Sequence, residues 1–463
     1  MEQLLAPASL PVRGVQTGNG GLVKASFWLL VLGAIVSYAT IFFAGASAGV
    51  FDANSINTGD TAWMLVSAAL VMLMTPAVGF FYGGMVSSKN VVSVLKQSVV
   101  ILSLITIQWV VIGYSLTFAP SVGGVIGNLD FFGLRGVGFA PDPNYAATIP
   151  AFVFMIYQAM FAAITPALII GAFVERIKFK TLIVFTLLWA TLVYDPIAHW
   201  VWSTDGWLRA LGALDFAGGT VVHMSAGFSA LAAALLVGRR LKQSSIGENA
   251  NNIPFVILGA VLLWFGWFGF NAGSALSAGV LAASAFVATN IAAAASALTW
   301  TTLSWAQNRK PSAMAAATGA VCGLVAITPA SGFVGPVAAI AIGIIAGVVT
   351  YGAVHIRTKK IKIDDTLDVW AAHGIGGLTG AVLTGFFAEK IINSAGNNGL
   401  LFGNPHQLLV QVYAVLAVGI YSFFATWLIL KVLSLFKMPL RVSESDEAEG
   451  LDLAVHGEAG YRL

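Results

Sequence analysis

The chain has 463 residues, of which 58% are hydrophobic and only 9% are charged, and its formal net charge is +3. Soluble domains carry about 25% charged residues, so this composition excludes a soluble globular protein and indicates one that spans a lipid bilayer. The single cysteine, Cys322, excludes an intramolecular disulfide and a cysteine-based metal cluster.

The first apolar stretch lies at about 26–44 and follows a short polar leader. It ends in the small residues 44–48, a pattern typical of signal-peptide cleavage, so residues 1–48 are predicted to be a leader that is removed. A retained twelfth helix is the alternative.

Eleven further apolar stretches follow, and each is about as long as one membrane crossing requires. They are uniformly apolar rather than alternating, so they predict helices and not the strands of a β-barrel. The predicted spans 1 to 11 lie at about 61–87, 93–118, 147–173, 180–201, 217–238, 253–272, 279–301, 313–330, 333–354, 369–388 and 407–433.

The basic residues predict the orientation of these spans. The loops after spans 1, 3, 5, 7 and 9 and the C-terminal tail, which lie on one side of the membrane, hold eighteen lysines and arginines. The loops on the opposite side hold three. Because cytoplasmic loops are enriched in such residues, the tail at 437–463 is expected in the cytoplasm and the mature N-terminus outside.

The number of spans predicts an internal repeat. Five lie in the half at about 61–240 and five in the half at about 250–390, and a final helix at 407–433 completes a membrane domain at 58–436. An odd number of spans inverts the second half relative to the first. The predicted fold is therefore an all-α polytopic membrane protein with two inverted five-helix halves, a plan in which transport sites lie between the halves.

Two histidines lie inside apolar helices, where an ionisable side chain usually faces a cavity or the bundle interior. His223 lies early in span 5 and His373 early in span 10, which are corresponding helices of the two halves. An inverted repeat would bring both to the central axis, where two imidazoles can share a proton. The alternative is two separate core histidines bonded to the backbone. No cysteine or carboxylate at ligand spacing accompanies them, so a metal site is not indicated.

Asp215 and several aromatic residues suggest a cation site at the outer mouth. Asp215 precedes span 5 and either caps that helix or shapes a cation site. Aromatic faces attract small cations, although aromatic stripes more often serve packing or the membrane interface. The residues that share a helix face are Tyr157 and Phe161 on span 3, with Gln158 beside them, Asp195, His199 and Trp202 on span 4, and Trp267, Phe270 and Ser274 on span 6.

At these positions the sequence resembles the ammonium transporter (Amt/MEP/Rh) family, on the bacterial Amt side. The resemblance runs from about residue 58 into the tail and leaves residues 1–57 outside. The segments that carry it are 158–165, 195–202, 215–223, 267–275, 368–373 and 440–453.

The resemblance implies an eleven-helix homotrimer of the inner membrane with one pore per subunit and no cofactor. It implies that ammonium and methylammonium are recruited by Trp202, Phe161, Phe270 and Ser274. It also makes Phe161 and Phe270 a phenyl gate, His223 and His373 a twin-histidine pore, and Asp215 a structural acidic residue. The tail is similar to the docking segment for P-II-type nitrogen signal proteins. Family members vary at Tyr157, so no role is assigned to it.

These observations together predict an ammonium transporter that releases the proton at the phenyl gate, because a bare ion in a low-dielectric lumen costs tens of kcal/mol. Whether the proton also crosses is left open. The alternatives are a Rh-like gas channel for ammonia or carbon dioxide and an ammonium sensor. No nucleophile–base set or phosphate loop indicates an enzyme, and no nucleic-acid partner is expected.

Overall fold

The computed structural model describes residues 33, 55–241 and 250–461. Except for Gly33, the predicted leader at 1–48 and its cleavage site lie outside the described residues. Lys242 and Arg462, which contribute to the predicted charge asymmetry, also lie outside them.

The described chain is helical, as the apolar stretches predict. The helices are α1 (Thr58–Met85), α2 (Val91–Phe118), α3 (Ala151–Ala172), α4 (Phe179–Ala210), α5 (Gly219–Val237), α6 (Ile253–Ala275), α7 (Val280–Asn308), α8 (Ala313–Ile327), α9 (Pro336–Ile361), α10 (370–387), α11 (Pro405–Leu435), α12 (Glu444–Glu449) and α13 (Leu451–Ala454). A two-stranded antiparallel hairpin, β1 (Ser121–Val122) and β2 (Ile126–Gly127), connects α2 to α3.

Each of the eleven predicted spans corresponds to a helix. In the part of the chain that the structure describes, nine of these helices are long and apolar enough to cross a membrane, and α8 and α10 are not among them. Helix α8 has 15 residues, whereas about 20 are needed for a full crossing. The protein is a multi-pass membrane protein, and the count of eleven crossings stays a prediction.

The outer surfaces of the helices are apolar. On α11 the side chains of Leu409, Leu416 and Phe424 are 57%, 54% and 61% exposed. Large aromatic side chains such as Trp109, Trp189 and Trp267 are fully buried between helices. Apolar side chains on both the inside and the outside of the bundle are what a protein surrounded by lipid requires.

Several helices contain a π-helical segment, a feature that is frequent at functional sites. The segments Gly219–Met224 and Trp370–Ile375 begin α5 and α10, and they contain His223 and His373. Near its C-terminal end, helix α6 contains another such segment, Phe268–Ala272, which includes Phe270. The same irregularity thus occurs at the matched positions of the two predicted halves.

Helices α5 and α10 cross at two glycines. A Cβ atom placed on Gly227 would overlap the backbone of Gly374, the residue next to His373. Small residues at a crossing let two helix backbones approach closely. The two histidine-bearing helices are therefore in direct backbone contact.

The shared face predicted on α4 does not point to one site. Asp195 is buried against α2, where it accepts a hydrogen bond from Gln108 at 2.8 Å. His199 is fixed by Ser121 Oγ and by the carbonyl oxygen of Thr117, both at 2.8 Å. Of the three residues on this face, Trp202 borders a cavity. Helical periodicity identifies residues on one side of a helix but not which neighbouring helix each one contacts.

The C-terminal tail is folded against the loops that join the helices. Val442 N–H donates to the Arg176 carbonyl at 3.0 Å, and Lys178 N–H donates to the Leu440 carbonyl at 2.9 Å. The Asp452 carboxylate accepts hydrogen bonds from the backbone of Val92 and Ser93, in the first turn of α2.

Four apolar residues of the tail differ in burial. Val442 and Leu451 are buried, Leu440 is half-buried and Leu453 is 54% exposed. Leu453 lies in the short helix α13, whose buried face carries Leu451 and Asp452. Docking of the tail on the trimer face stays a prediction.

Candidate functional site

Two large cavities lie at opposite ends of the helix bundle. The hairpin cavity has a volume of about 460 Å³ and is lined by Phe161, Trp202, Asp215 and Ser274 among others. The tail cavity has a volume of about 480 Å³, and His373 and Asp368 are among the residues that line it. Three of the four predicted recruitment residues, all but Phe270, therefore line the first cavity, and one predicted pore histidine lines the second.

The floor of the hairpin cavity is made by aromatic rings. The ring of Phe161 lies edge-on to Trp202 at 5.7 Å and contacts the ring of Phe270 at 4.3 Å between centroids. Phe161 and Phe270 are both buried. A pair of phenyl rings in contact leaves no room for a hydrated ion between the cavity and the bundle interior.

Asp215 stabilises the beginning of α5. Its carboxylate accepts hydrogen bonds from the backbone N–H groups of Gly218, Gly219 and Thr220 at 2.6–2.8 Å and from the Thr220 hydroxyl. This is the helix-capping arrangement that satisfies the free N–H groups of a first turn. The Asp215 carbonyl oxygen also accepts the indole N–H of Trp202 at 3.0 Å. Asp215 thus positions Trp202 through its backbone, while its charge is used within α5.

Ser274 lies on the wall of the hairpin cavity at the end of α6. Its hydroxyl donates to the Phe270 carbonyl at 2.9 Å, so its lone pairs remain available on the other side. The Tyr157 hydroxyl lies 3.2 Å from Ser274 Oγ and 2.9 Å from the carbonyl oxygens of Gly269 and Phe270. Sequence reasoning assigned no role to Tyr157, although its position one turn before Phe161 was the available signal.

The two histidines are in direct contact below the phenyl pair. Their Nδ1 atoms are 3.2 Å apart, and both side chains are buried. Trp267 stacks on His223 at 5.3 Å between ring centroids. Because one Nδ1 must donate and the other accept, the two Nε2 atoms hold opposite roles, one as donor and one as acceptor.

A small cavity of about 10 Å³ lies beside the two histidines. It is lined by His223, His373 and Trp267 together with apolar side chains such as Ile164 and Leu168. Its size is that of about one water molecule. The Nε2 atom of His223 has no hydrogen-bond partner among the described residues. A small neutral molecule with both a donor and an acceptor fits this environment.

The side of the bundle that carries the tail cavity is held by ion pairs. Arg357 forms an ion pair with Asp368, five residues before His373. Arg240 pairs with Asp364 at 2.9 Å and with Glu175 at 2.8 Å, which joins three loops. In the described ranges no cluster of three histidine, cysteine or acidic side chains is arranged to hold a metal ion.

The comparisons with known proteins agree on one family. A sequence model of the Ammonium Transporter Family matches residues 62–461. The ammonium transporter of Bacillus subtilis is 48% identical over 404 residues, which cover 87% of this chain and 98% of the relative. Ammonium transporter Amt1 of Archaeoglobus fulgidus is 46% identical and covers 88% of this chain and 100% of the relative. The crystal structure of Saccharomyces cerevisiae Mep2 superposes with a TM-score of 0.80 at 34% identity, covering 86% of this chain and 96% of that chain.

Proposed function

Because this chain belongs to the ammonium transporter family, whose members are transporters and not enzymes, we propose that it recruits ammonium at the hairpin cavity and conducts ammonia past His223 and His373. The observation that carries the proposal is the order of the parts. A polar and aromatic cavity, a closed phenyl pair, a histidine-lined lumen of about 10 Å³ and a second cavity follow one another through the bundle.

Recruitment at the hairpin cavity rests on the chemistry of ammonium, which has four N–H donors and a positive charge. The ring faces of Trp202 and Phe161 attract a cation, and Ser274 Oγ supplies lone pairs. Each cation–π contact contributes about 0.5–2 kcal/mol, so the site is a weak and reversible one.

Deprotonation at the phenyl pair follows from electrostatics. The rings of Phe161 and Phe270 are buried and in contact, so an ion that passes them loses its hydration shell. Transfer of an unpaired charge into such an environment costs tens of kcal/mol, whereas ammonia is neutral. Beyond the rings, the two Nε2 atoms offer ammonia one donor and one acceptor.

The surroundings of the pore complete the proposal. The hairpin cavity faces outward and the tail cavity faces the cytoplasm, as the basic loops indicate. Eleven crossings, a homotrimer in the inner membrane and a tail that presents a surface to a P-II-type signal protein are parts of the same proposal. The contacts of the tail with the loops after α1, α3 and α5 support a regulatory role.

The test is uptake of labelled methylammonium into liposomes that contain the purified protein. We expect saturable uptake that ammonium inhibits, and current recorded from the same membranes measures whether net charge crosses. Protein-free liposomes are the control. Uptake equal to that control would refute the proposal, and uptake that never saturates would favour a gas channel.

A further inference from the structure

The hairpin cavity, where the proposed function places a cation, is lined by a positively charged side chain. Arg209 borders this cavity together with Trp202 and Ser274. Its guanidinium donates a hydrogen bond from Nη1 to the Trp202 carbonyl oxygen at 2.6 Å. The positive charge therefore lies within the length of one residue from the indole ring that contacts Phe161.

No partner neutralises the charge of Arg209 within the described chain. Two charged side chains line the cavity there, Arg209 and Asp215. The carboxylate of Asp215 is buried against the N–H groups that begin α5, and their partial positive charge offsets its own. Asp205 is exposed four residues before Arg209 but forms no ion pair with it, and the ion pairs of the described ranges join other residues. The guanidinium is thus the uncompensated charge of this cavity.

The backbone fixes the base of the Arg209 side chain beside the cavity. The last turn of α4 is formed by Trp207–Ala210, and Leu208 within it is buried. The Trp207 N–H donates to the Gly124 carbonyl oxygen of the β1–β2 hairpin at 3.3 Å. Because this turn is held by an apolar anchor and by the hairpin, the guanidinium stays near Trp202 although the side chain is exposed.

A fixed positive charge beside a cation site opposes the entry of a cation. Two unit charges roughly 5–10 Å apart in a water-filled cavity repel each other enough to weaken binding about two- to fourfold. The rings and the Ser274 hydroxyl attract ammonium in the same cavity, so the two effects oppose each other. Neutral ammonia beyond the phenyl pair does not experience this repulsion, so the effect is on recruitment.

From this geometry we propose that Arg209 sets the affinity of the cation site, because its charge weakens ammonium recruitment at the hairpin cavity. The inference rests on the proposed function and adds a residue that limits binding. The side chain also holds the Trp202 carbonyl oxygen, and the two roles predict changes of opposite sign. Loss of the charge lowers KM, whereas loss of a bond that positions Trp202 raises it.

The experiment measures methylammonium uptake into liposomes while the charge at position 209 is varied. We expect KM to fall about two- to fourfold in Arg209→Gln and by a similar further factor in Arg209→Glu. Arg209→Lys retains the charge and should keep KM within about twofold of the unsubstituted protein. Arg135→Glu is the matched control, since Arg135 is exposed between α2 and α3 and does not line the cavity.

Ionic strength separates the charge from the hydrogen bond. The Debye length falls from about 30 Å at 0.01 M salt to about 3 Å at 1 M. The KM values of the unsubstituted protein, Arg209→Gln and Arg209→Glu should therefore differ most at low salt and converge at high salt, with sucrose balancing the osmolarity. An effect of the hydrogen bond alone would persist at high salt.

The outcomes separate this inference from the proposed function. Absence of uptake by the unsubstituted protein refutes the proposed function, whereas saturable uptake with one KM across the whole series overturns the role of Arg209 alone. A KM that rises in both Arg209→Gln and Arg209→Glu also overturns it, because the side chain would then act by holding Trp202. An equal fall of KM in Arg135→Glu overturns it as well, since net charge and not position would be responsible.

Discussion

At the scale of single residues, the histidines and Asp215 use their polar atoms in different ways. The two imidazoles bond to each other and leave the Nε2 atom of His223 without a partner. The Asp215 carboxylate instead uses both oxygens to hold the first turn of α5. A buried polar atom without a partner costs about 1–3 kcal/mol, so this Nε2 atom does not contribute to stability.

Replacing His373 with alanine removes one member of the proton-sharing pair. We expect methylammonium flux to fall about a hundredfold, the low end of what a positioned proton-transfer group contributes. The protein should remain folded, because alanine is compatible with the helix that carries His373. Flux per folded protein in liposomes measures the effect, with His406→Ala as control because His406 is exposed at the start of α11. Unchanged flux and selectivity in His373→Ala would contradict a role for the pair.

Replacing Asp215 with alanine leaves the N–H groups of Gly218, Gly219 and Thr220 without their acceptor. The loss of a helix cap costs about 0.5–2 kcal/mol and should lower the melting temperature. We also expect transport to be abolished, because the carboxylate fixes the turn that carries the Asp215 carbonyl, the acceptor of the Trp202 indole N–H, and Asp215→Glu should retain part of it. The exposed residue Asp205 provides the control substitution. A less stable Asp215→Ala protein with normal flux would make Asp215 a cap and nothing more.

At the scale of elements, the pairing of α5 with α10 determines the distance between the histidines. Both helices begin with a π-helical segment, and they cross where Gly227 meets Gly374. Histidine side chains are short, so an Nδ1 separation of 3.2 Å requires backbones this close. The glycines at the crossing therefore allow the close approach of the two helices that carry the histidines.

Gly227→Ala tests this dependence. Its Cβ would overlap the Gly374 backbone and push the helices apart, which we expect to cost about 1–3 kcal/mol and to reduce flux in proportion to the lost histidine contact. Gly352→Ala on α9 is the matched control, because no atom lies within 4 Å of its Cβ position. Thermal unfolding and methylammonium uptake are measured on both. A Gly227→Ala protein as stable and active as the control would show that the close crossing is not required.

At the scale of the whole molecule, the tail connects loops from separate parts of the bundle. The Glu447 carboxylate accepts the N–H of Leu241 at 2.7 Å and pairs with Arg441 at 2.7 Å. Its side chain is 6% exposed, unlike the surface ion pairs that contribute about 0–1 kcal/mol. Docking of the tail is thus specified by a buried carboxylate as well as by apolar contact.

Glu447→Ala should release the tail, because the Leu241 N–H loses its acceptor at a cost of about 1–3 kcal/mol. We expect faster tryptic cleavage after Lys437 and a reduced flux, as in a protein from which residues 440–463 are deleted. Glu444→Ala is the control, since Glu444 is exposed in the same short helix. Normal transport and an unchanged response to nitrogen status after the deletion would leave the tail without a regulatory role.

Acidification should also loosen the tail. Burial, aided by the charge of Lys96, lowers the pKa of His456, whose ring contacts Ser93 Oγ at 3.2 Å. The docked tail then binds fewer protons than the free tail, so docking weakens as pH falls below the free histidine pKa of about 6.5. Burial raises the pKa of Asp452, which acts in the opposite direction at lower pH. Hydrogen exchange of 438–461 between pH 7.5 and 5.5 measures the effect, and a His456→Gln protein with the same pH dependence would refute it.

The sequence by itself determined the class of protein and the positions of the helices, and it supplied the candidate residues of the site. The length of an apolar stretch can be read from neighbouring residues alone, so the helices lie at nearly the predicted positions. Histidines in apolar stretches, at matched places in two halves, were sufficient to predict a pair. Local signals also placed Asp215 at a helix start, whereas the grouping of Phe161, Phe270 and Trp202 came from the family resemblance.

Only the tertiary structure decided what each side chain touches. The periodicity that grouped Asp195 and His199 with Trp202 could not show that the first two face α2 and that His199 also bonds to Ser121 of the hairpin. The contact of the Tyr157 hydroxyl with Ser274, 117 positions away, was equally beyond the reach of periodicity. Burial of Val442 and exposure of Leu453 likewise depend on loops distant in the chain. Composition and spacing report what a residue can do, whereas helix crossings and loop contacts decide which partner lies within reach.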